Sequence, residues 1–208
     1  LRLGAPVSDG ASSKPPASSG MQRGEFVALV AVLFSTVAFS IDALLAAFPA
    51  ISTEFGAGQD VHLIITCFVA GLAVGTLIAG PISDALGRKT TMYIGAAIYI
   101  GSGVVAWITE SFTVLLIARM MQGFGAAGPR VVSMAIIRDL YEGRQMAQII
   151  SFAMVVFTIV PTLAPAMGAA LVDVFNWRAI LLSFVVFSII STLWIWLRLP
   201  ESLPAKNG

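Results

Sequence analysis

The chain has 208 residues, 58% hydrophobic and only 11% charged, where a soluble domain carries about a quarter charged residues. Its mean hydropathy is +0.92 and its formal charge +1, which excludes a soluble globular domain, a disordered chain and a nucleic-acid binder. A single cysteine, Cys67, excludes an intramolecular disulfide and a thiolate metal cluster.

In chain order, residues 1–25 come first. They are rich in Ser, Pro, Gly and Ala, hold no apolar period, and read as a disordered cytoplasmic tail. The chain opens on Leu1 and a methionine follows at Met21, so the true start is read as either of the two. Six apolar segments follow, near Phe26–Phe48, His62–Ile82, Thr91–Ile108, Phe112–Ile137, Met146–Val172 and Trp177–Leu197. Most reach the ~18 residues that a helix needs to cross the hydrocarbon, and none alternates as a membrane barrel strand does. The expected fold is therefore all-α and integral to the membrane. A six-helix transmembrane bundle occupies 26–198, and residues 199–208 start a further cytoplasmic loop. The first segment is too long for a signal-peptide core and carries Asp42.

Basic residues set the orientation. Arg2, Lys14, Arg23, Arg88, Lys89, Arg138, Arg144, Arg198 and Lys206 fall on one side, and among loop cations only Arg178 falls on the other. Both ends of the segment are therefore expected in the cytoplasm, in a multi-pass protein of the cell (inner) membrane.

Three ionisable residues lie well inside the spans: Asp42, Arg119 and Arg130. A charge at mid-span costs roughly 2.5–3.5 kcal/mol on insertion scales, so it turns inward or pairs. Counting from the span ends at 1.5 Å per residue, Asp42 and Arg119 each lie about 10 Å below the outer boundary. The spacing predicts that they share one polar cavity, either as a structural ion pair or as a titrating site. Gln122, three residues after Arg119, adds a polar group to the same face. Arg130 lies deeper toward the cytoplasm, where it can snorkel.

The loop Gly80-Pro81-Ile82-Ser83-Asp84-Ala85-Leu86-Gly87-Arg88-Lys89 is the second signal. Asp84 sits at the C-terminal end of a span, where the helix dipole disfavours an anion, so it needs Arg88, Lys89 or another helix as partner. Gly80 and Gly87 are expected to permit close approach and a tight turn. Gly123, Gly125 and Gly128 spell a dinucleotide motif, but with no preceding strand they read as helix-packing positions, as do Gly71 and Gly75. The one histidine, His62, stands at a span mouth as a solvated end residue, so no metal site is expected. Pro161 and Pro165 predict a kink or break in the fifth span. An intramembrane enzyme would need a paired nucleophile and base, and none is recognisable.

Taken together, these motifs resemble the N-terminal six-helix half of a major facilitator superfamily transporter, most closely the Bcr/CflA branch of drug:proton antiporters. The loop from Gly80 to Lys89 is similar to the superfamily's signature between spans two and three. Arg119-Met120-Met121-Gln122-Gly123-Phe124-Gly125-Ala126-Ala127 resembles its span-four motif. Arg138-Asp139-Leu140-Tyr141, Ala164-Pro165-Ala166-Met167-Gly168 and Leu199-Pro200-Glu201-Ser202 resemble the branch's span-four exit, span-five motif and end of the first half. Three positions depart: Ala85 replaces a basic residue, Ala164 and Ala169 stand where glycine is preferred, and Met134 stands where the branch is often basic while Arg130 is added one turn earlier.

The resemblance implies half of a twelve-helix fold, made of two inverted three-helix repeats. It implies proton-driven export of drugs or small amphipathic metabolites by alternating access. Asp42, with Arg119 and Gln122, would couple to protons. Gly80, Asp84, Gly87, Arg88, Lys89 and Asp139 would form a conformational latch, and Pro161, Pro165 and Gly168 the antiporter-like motif. The implied partners are a small-molecule substrate, protons, the lipid bilayer and a missing C-terminal six-helix half. No cofactor is implied beyond the proton gradient. The alternatives are a non-transporting membrane scaffold or a half-transporter working as a homodimer.

Overall fold

The computed structural model describes residues 23–198. The expected tail, apart from Arg23 to Glu25, lies outside the described residues, as do the loop from 199 and its Leu199-Pro200-Glu201-Ser202 motif. Six long helices correspond to the six predicted spans: α1 (Arg23–Leu45), α3 (Leu63–Leu86), α4 (Arg88–Ile108), α5 (Phe112–Leu140), α6 (Gly143–Val174) and α7 (Arg178–Arg198). Helix is the only open structure that satisfies every backbone group internally in lipid. Hydroxyls on these helices close onto their own backbone: Ser35 and Ser40 donate to the carbonyls of Ala31 and Thr36, each at 2.7 Å.

Two boundaries differ from the sequence reading. The tail was expected to run to residue 25, but α1 begins at Arg23, and Glu25 sits in its first turn, where the dipole favours an anion. There Glu25 accepts from Arg198 at 2.8 Å and from the Trp194 indole at 3.2 Å, fastening the start of α1 to the end of α7. At the other end, Phe48 is not the last residue of span one. It opens a separate short helix, α2 (Phe48–Phe55), with Pro49 in its first turn, followed by a 3-10 turn over Gly58–His62.

Five of the long helices are long and apolar enough to cross a membrane by length and composition. The sixth, α5, spans 29 residues, and Arg119, Arg130, Arg138 and Asp139 dilute its apolar character. It is also the helix that α3 and α4 pack against, while α1 packs on α6 and α7 lies against α4 and α1. A helix that carries charges within the span is tolerated in a membrane when those charges turn toward the protein.

Glycines set how closely α5 is held. A β-carbon on Gly71 would collide with the Met120 carbonyl, and one on Gly123 with the Phe68 carbonyl. Gly95 of α4 and Gly125 of α5 face each other in the same way. The packing role expected for these glycines is thus met, with backbone lying on backbone. Large apolar side chains such as Leu77, Ile159, Leu163 and Trp196 point outward, as they would toward acyl chains. Helix α6 runs unbroken through Pro161 and Pro165, so no break occurs where the sequence predicted a kink or break. Thr158 and Thr162 donate to the carbonyls of Met154 and Thr158 there, at 2.9 and 3.3 Å. Gly168 rests on the backbone of Ala43 in α1.

Candidate functional site

Two polar constellations stand out in this apolar bundle. The first surrounds Arg119, whose side chain is fully buried. One guanidinium nitrogen donates to Gln122 Oε1 at 2.6 Å and another to the Ser40 backbone carbonyl at 2.8 Å. The Phe68 ring lies under the charge at 4.5 Å and the Phe184 ring at 5.7 Å, within the range of cation–π attraction. Ser40 Oγ is 2.5 Å from the Tyr99 hydroxyl. Because Ser40 Oγ already donates to Thr36, Tyr99 is the donor. One network therefore joins α1, α4 and α5. Gly103 of α4 makes room for it, since a β-carbon there would press on the Gln122 amide nitrogen. Among the described residues, Arg119 Nε and Gln122 Nε2 are buried without a partner.

The sequence predicted that Asp42 and Arg119 meet in one cavity. The structure brings them to the same height but does not pair them. Arg119 meets α1 at Ser40, two residues and about 3 Å of helix rise from Asp42. Among the described residues, no carboxylate lies within 4 Å of Arg119. Two residues along a helix is a turn of about 200°, so the stretch of α1 that offers the Ser40 carbonyl sends Asp42 to the other side, half-buried. Ser40 and Tyr99 were missed. A backbone acceptor leaves no trace in a sequence, and a tyrosine in a membrane span reads as apolar filling.

The second constellation is at the end of the bundle that carries the basic loops. Arg88 Nη1 donates to Asp84 Oδ1 at 2.6 Å and Ser83 Oγ at 2.9 Å, and Nε donates to Asp139 Oδ2 at 3.0 Å. This supplies the partner that Asp84 needs at a helix C-terminus. It also ties the α3–α4 turn to the last turn of α5. Gly87 makes the turn with φ +99°, a conformation that favours glycine. Among the described residues, a β-carbon on Gly80 would meet nothing within 4 Å. Lys89 lies over the Tyr93 ring at 5.9 Å. Beside this junction is a cavity of about 560 Å³ into which Arg130 and Arg138 project with Asp84, Arg88 and Asp139.

At the opposite end, a third cluster fastens α2 to α7. Arg178 pairs with Glu54 at 2.6 Å, and the Trp177 indole donates to the same carboxylate at 2.5 Å. The Trp177 hydrogen bond, with help from Arg178, holds the Glu54 carboxyl below the ordinary carboxylate range. Among the described residues, no group of three or more His, Cys, Asp or Glu could hold a metal ion.

Residues 28–208 match the family model described as Major Facilitator Superfamily. The uncharacterized MFS-type transporter YdgK of Bacillus subtilis (strain 168) is 33% identical over 192 residues, 91% of this chain and 48% of the relative. The multidrug resistance protein MdtL of Vibrio parahaemolyticus is 31% identical over 170 residues, 81% of this chain and 43% of the relative. The solved structure of the human organic anion transporter MFSD10 (TETRAN) superposes with a TM-score of 0.70 at 21% identity, covering 90% of this chain and 50% of that one. The chain thus spans about half the length of the curated relatives it matches.

Proposed function

The chain belongs to the major facilitator superfamily, a transporter family and not a class of enzymes, and on that premise we propose that it is the first half of a proton-coupled exporter. It is a multi-pass membrane protein, and its similarity to multidrug resistance proteins supports drugs or small amphipathic metabolites as cargo. In this reading, which extends to the Bcr/CflA branch, both ends face the cytoplasm across the cell (inner) membrane. A second six-helix half completes the pathway, and alternating access moves substrate outward as protons enter. The proton gradient contributes about 1.4 kcal/mol per pH unit, and the potential about 2.3 kcal/mol per 100 mV for each net charge moved.

The observation that carries the reading is the buried Arg119 cation, held by neutral partners and level with the half-buried acid Asp42 on α1. A guanidinium without a carboxylate gives a fixed positive charge in a low-dielectric region, where charge interactions are strong. Asp42 has no ion-pair partner among the described residues and in this reading is the group that gains and loses the proton. Its charge then changes about half a turn from the carbonyl that anchors Arg119. The Arg88 junction, with Gly80, Asp84, Gly87, Lys89 and Asp139 around it, would act as the latch that fixes one conformation. Pro161, Pro165 and Gly168 would shape the α6 wall against α1.

The test is the full-length gene product in proteoliposomes under an imposed pH gradient. Wild type is expected to move substrate with the gradient, and Asp42→Asn to lose gradient-driven movement while still binding substrate. Full gradient-driven export by Asp42→Asn would remove Asp42 from the proton site.

A further inference from the structure

Helix α5 carries Arg130, Met134 and Arg138 at four-residue intervals, so all three line one stripe. That stripe forms a wall of the cavity beside the Arg88 junction, with Phe34 of α1, Thr76 of α3 and Met154 of α6 opposite. The volume, about 560 Å³, lies within the range of small-molecule sites.

The charges in this cavity are unevenly matched. Both carboxylates, Asp84 and Asp139, are engaged by Arg88. Among the described residues, neither Arg130 nor Arg138 has a carboxylate within 4 Å. Arg138 is exposed at the end of the helix, whereas Arg130 is half-buried and eight residues, about 12 Å, further in. An uncompensated guanidinium at that depth, beside methionine and phenylalanine side chains, presents a fork of donors at the head of an apolar slot. A planar pair of anionic oxygens fits the fork, and methionine adapts to varied apolar bodies.

We propose that this cavity is a cytoplasmic entry site for amphipathic organic monoanions, with Arg130 holding the carboxylate or sulfonate and Arg138 drawing it in. The assignment rests on the efflux reading for its place in a transport cycle. It is tested by equilibrium binding, which does not depend on coupling.

The experiment uses the full-length gene product in phosphatidylcholine nanodiscs. Fluorescence reports binding of anilinonaphthalene sulfonate, with uncharged N-phenylnaphthylamine as the matched control. Wild type is expected to bind the sulfonate more tightly than the uncharged probe. Arg130→Gln should weaken sulfonate binding roughly tenfold or more, the effect of losing a hydrogen bond to a charged group, and leave the uncharged probe unchanged. Arg130→Lys, which keeps the charge, should retain part of the preference and shows that a loss in Arg130→Gln is not misfolding. Equal affinity for the two probes would overturn the proposal, as would sulfonate binding indifferent to Arg130→Gln, the result expected if Arg130 is neutralised by another part of the protein. Displacement of the sulfonate by added phosphatidylglycerol, with Arg130 still required, would reassign the site to a lipid headgroup and overturn the substrate assignment. Sulfonate binding by a protein that shows no gradient-driven flux of any substrate would refute the exporter reading alone.

Discussion

Arg119 and Arg88 are the same side chain solving opposite problems. Arg119 is sealed among aromatic rings and held by an amide oxygen and a backbone carbonyl, both neutral. Arg88 sits at a helix end between two carboxylates, one of them largely exposed. Water and salt weaken every charge contact around Arg88, whereas nothing screens Arg119. The buried site therefore keeps a net charge in place, and the surface site cancels one. The first arrangement is costly to build and hard to replace. The second is cheap and reversible.

Mutations can sharpen this contrast. Arg119→Met should have the largest effect, because it leaves the Ser40 carbonyl and the Gln122 amide without their donor; about 2–5 kcal/mol of stability is expected to go, read as a lower thermal midpoint in detergent. Should Arg119→Met unfold no earlier than wild type, the network would not be holding the bundle. Tyr99→Phe removes one donor from Ser40 and should cost about 1 kcal/mol. A double-mutant cycle of Tyr99→Phe with Arg119→Met would show whether the two act through Ser40 as a unit.

Arg88→Gln is expected to cost less, at most about 1 kcal/mol because the pairs are partly solvated, and the loss should shrink as salt rises. A loss as large as that of Arg119→Met, unmoved by salt, would erase the distinction between the two sites. The smallest effect belongs to Glu54 at the opposite face. Its carboxyl is held below the ordinary value, so its contribution is complete above the ordinary carboxylate range and disappears as pH falls through the lowered value. Glu54→Gln should therefore lower stability slightly at neutral pH, change it little at low pH, and so flatten the acid limb of a stability profile.

The sequence made the six helices visible because a long apolar run has few other uses. It did not show α2, since eight residues carry no length signal; Pro49 in a first turn was the available clue. Depth counting placed Arg119 against the correct stretch of α1 but chose Asp42 over Ser40. Counting along a helix gives height and says nothing of azimuth, and charge complementarity favours a carboxylate over a carbonyl that every residue possesses. The Asp84–Arg88 contact was legible because it is local, four residues apart on adjoining helix ends. Asp139 was reached only through the family resemblance, being far away in the chain. Among the described residues Gly80 faces open space, which loop composition does not reveal.

The glycine contacts divide the bundle mechanically. Helices α3, α4 and α5 meet backbone to backbone at Gly71, Gly95, Gly123 and Gly125, with no layer of side chains that could shear, so they would move as one slab. Gly168 on Ala43 welds α6 to α1 as a second. Between the slabs, Ser40 is fastened by bonds from Arg119 and Tyr99, two buried side chains that reach across from the first slab. A joint of stiff plates depends on its bolts, and here one bolt lies two residues from the acid Asp42.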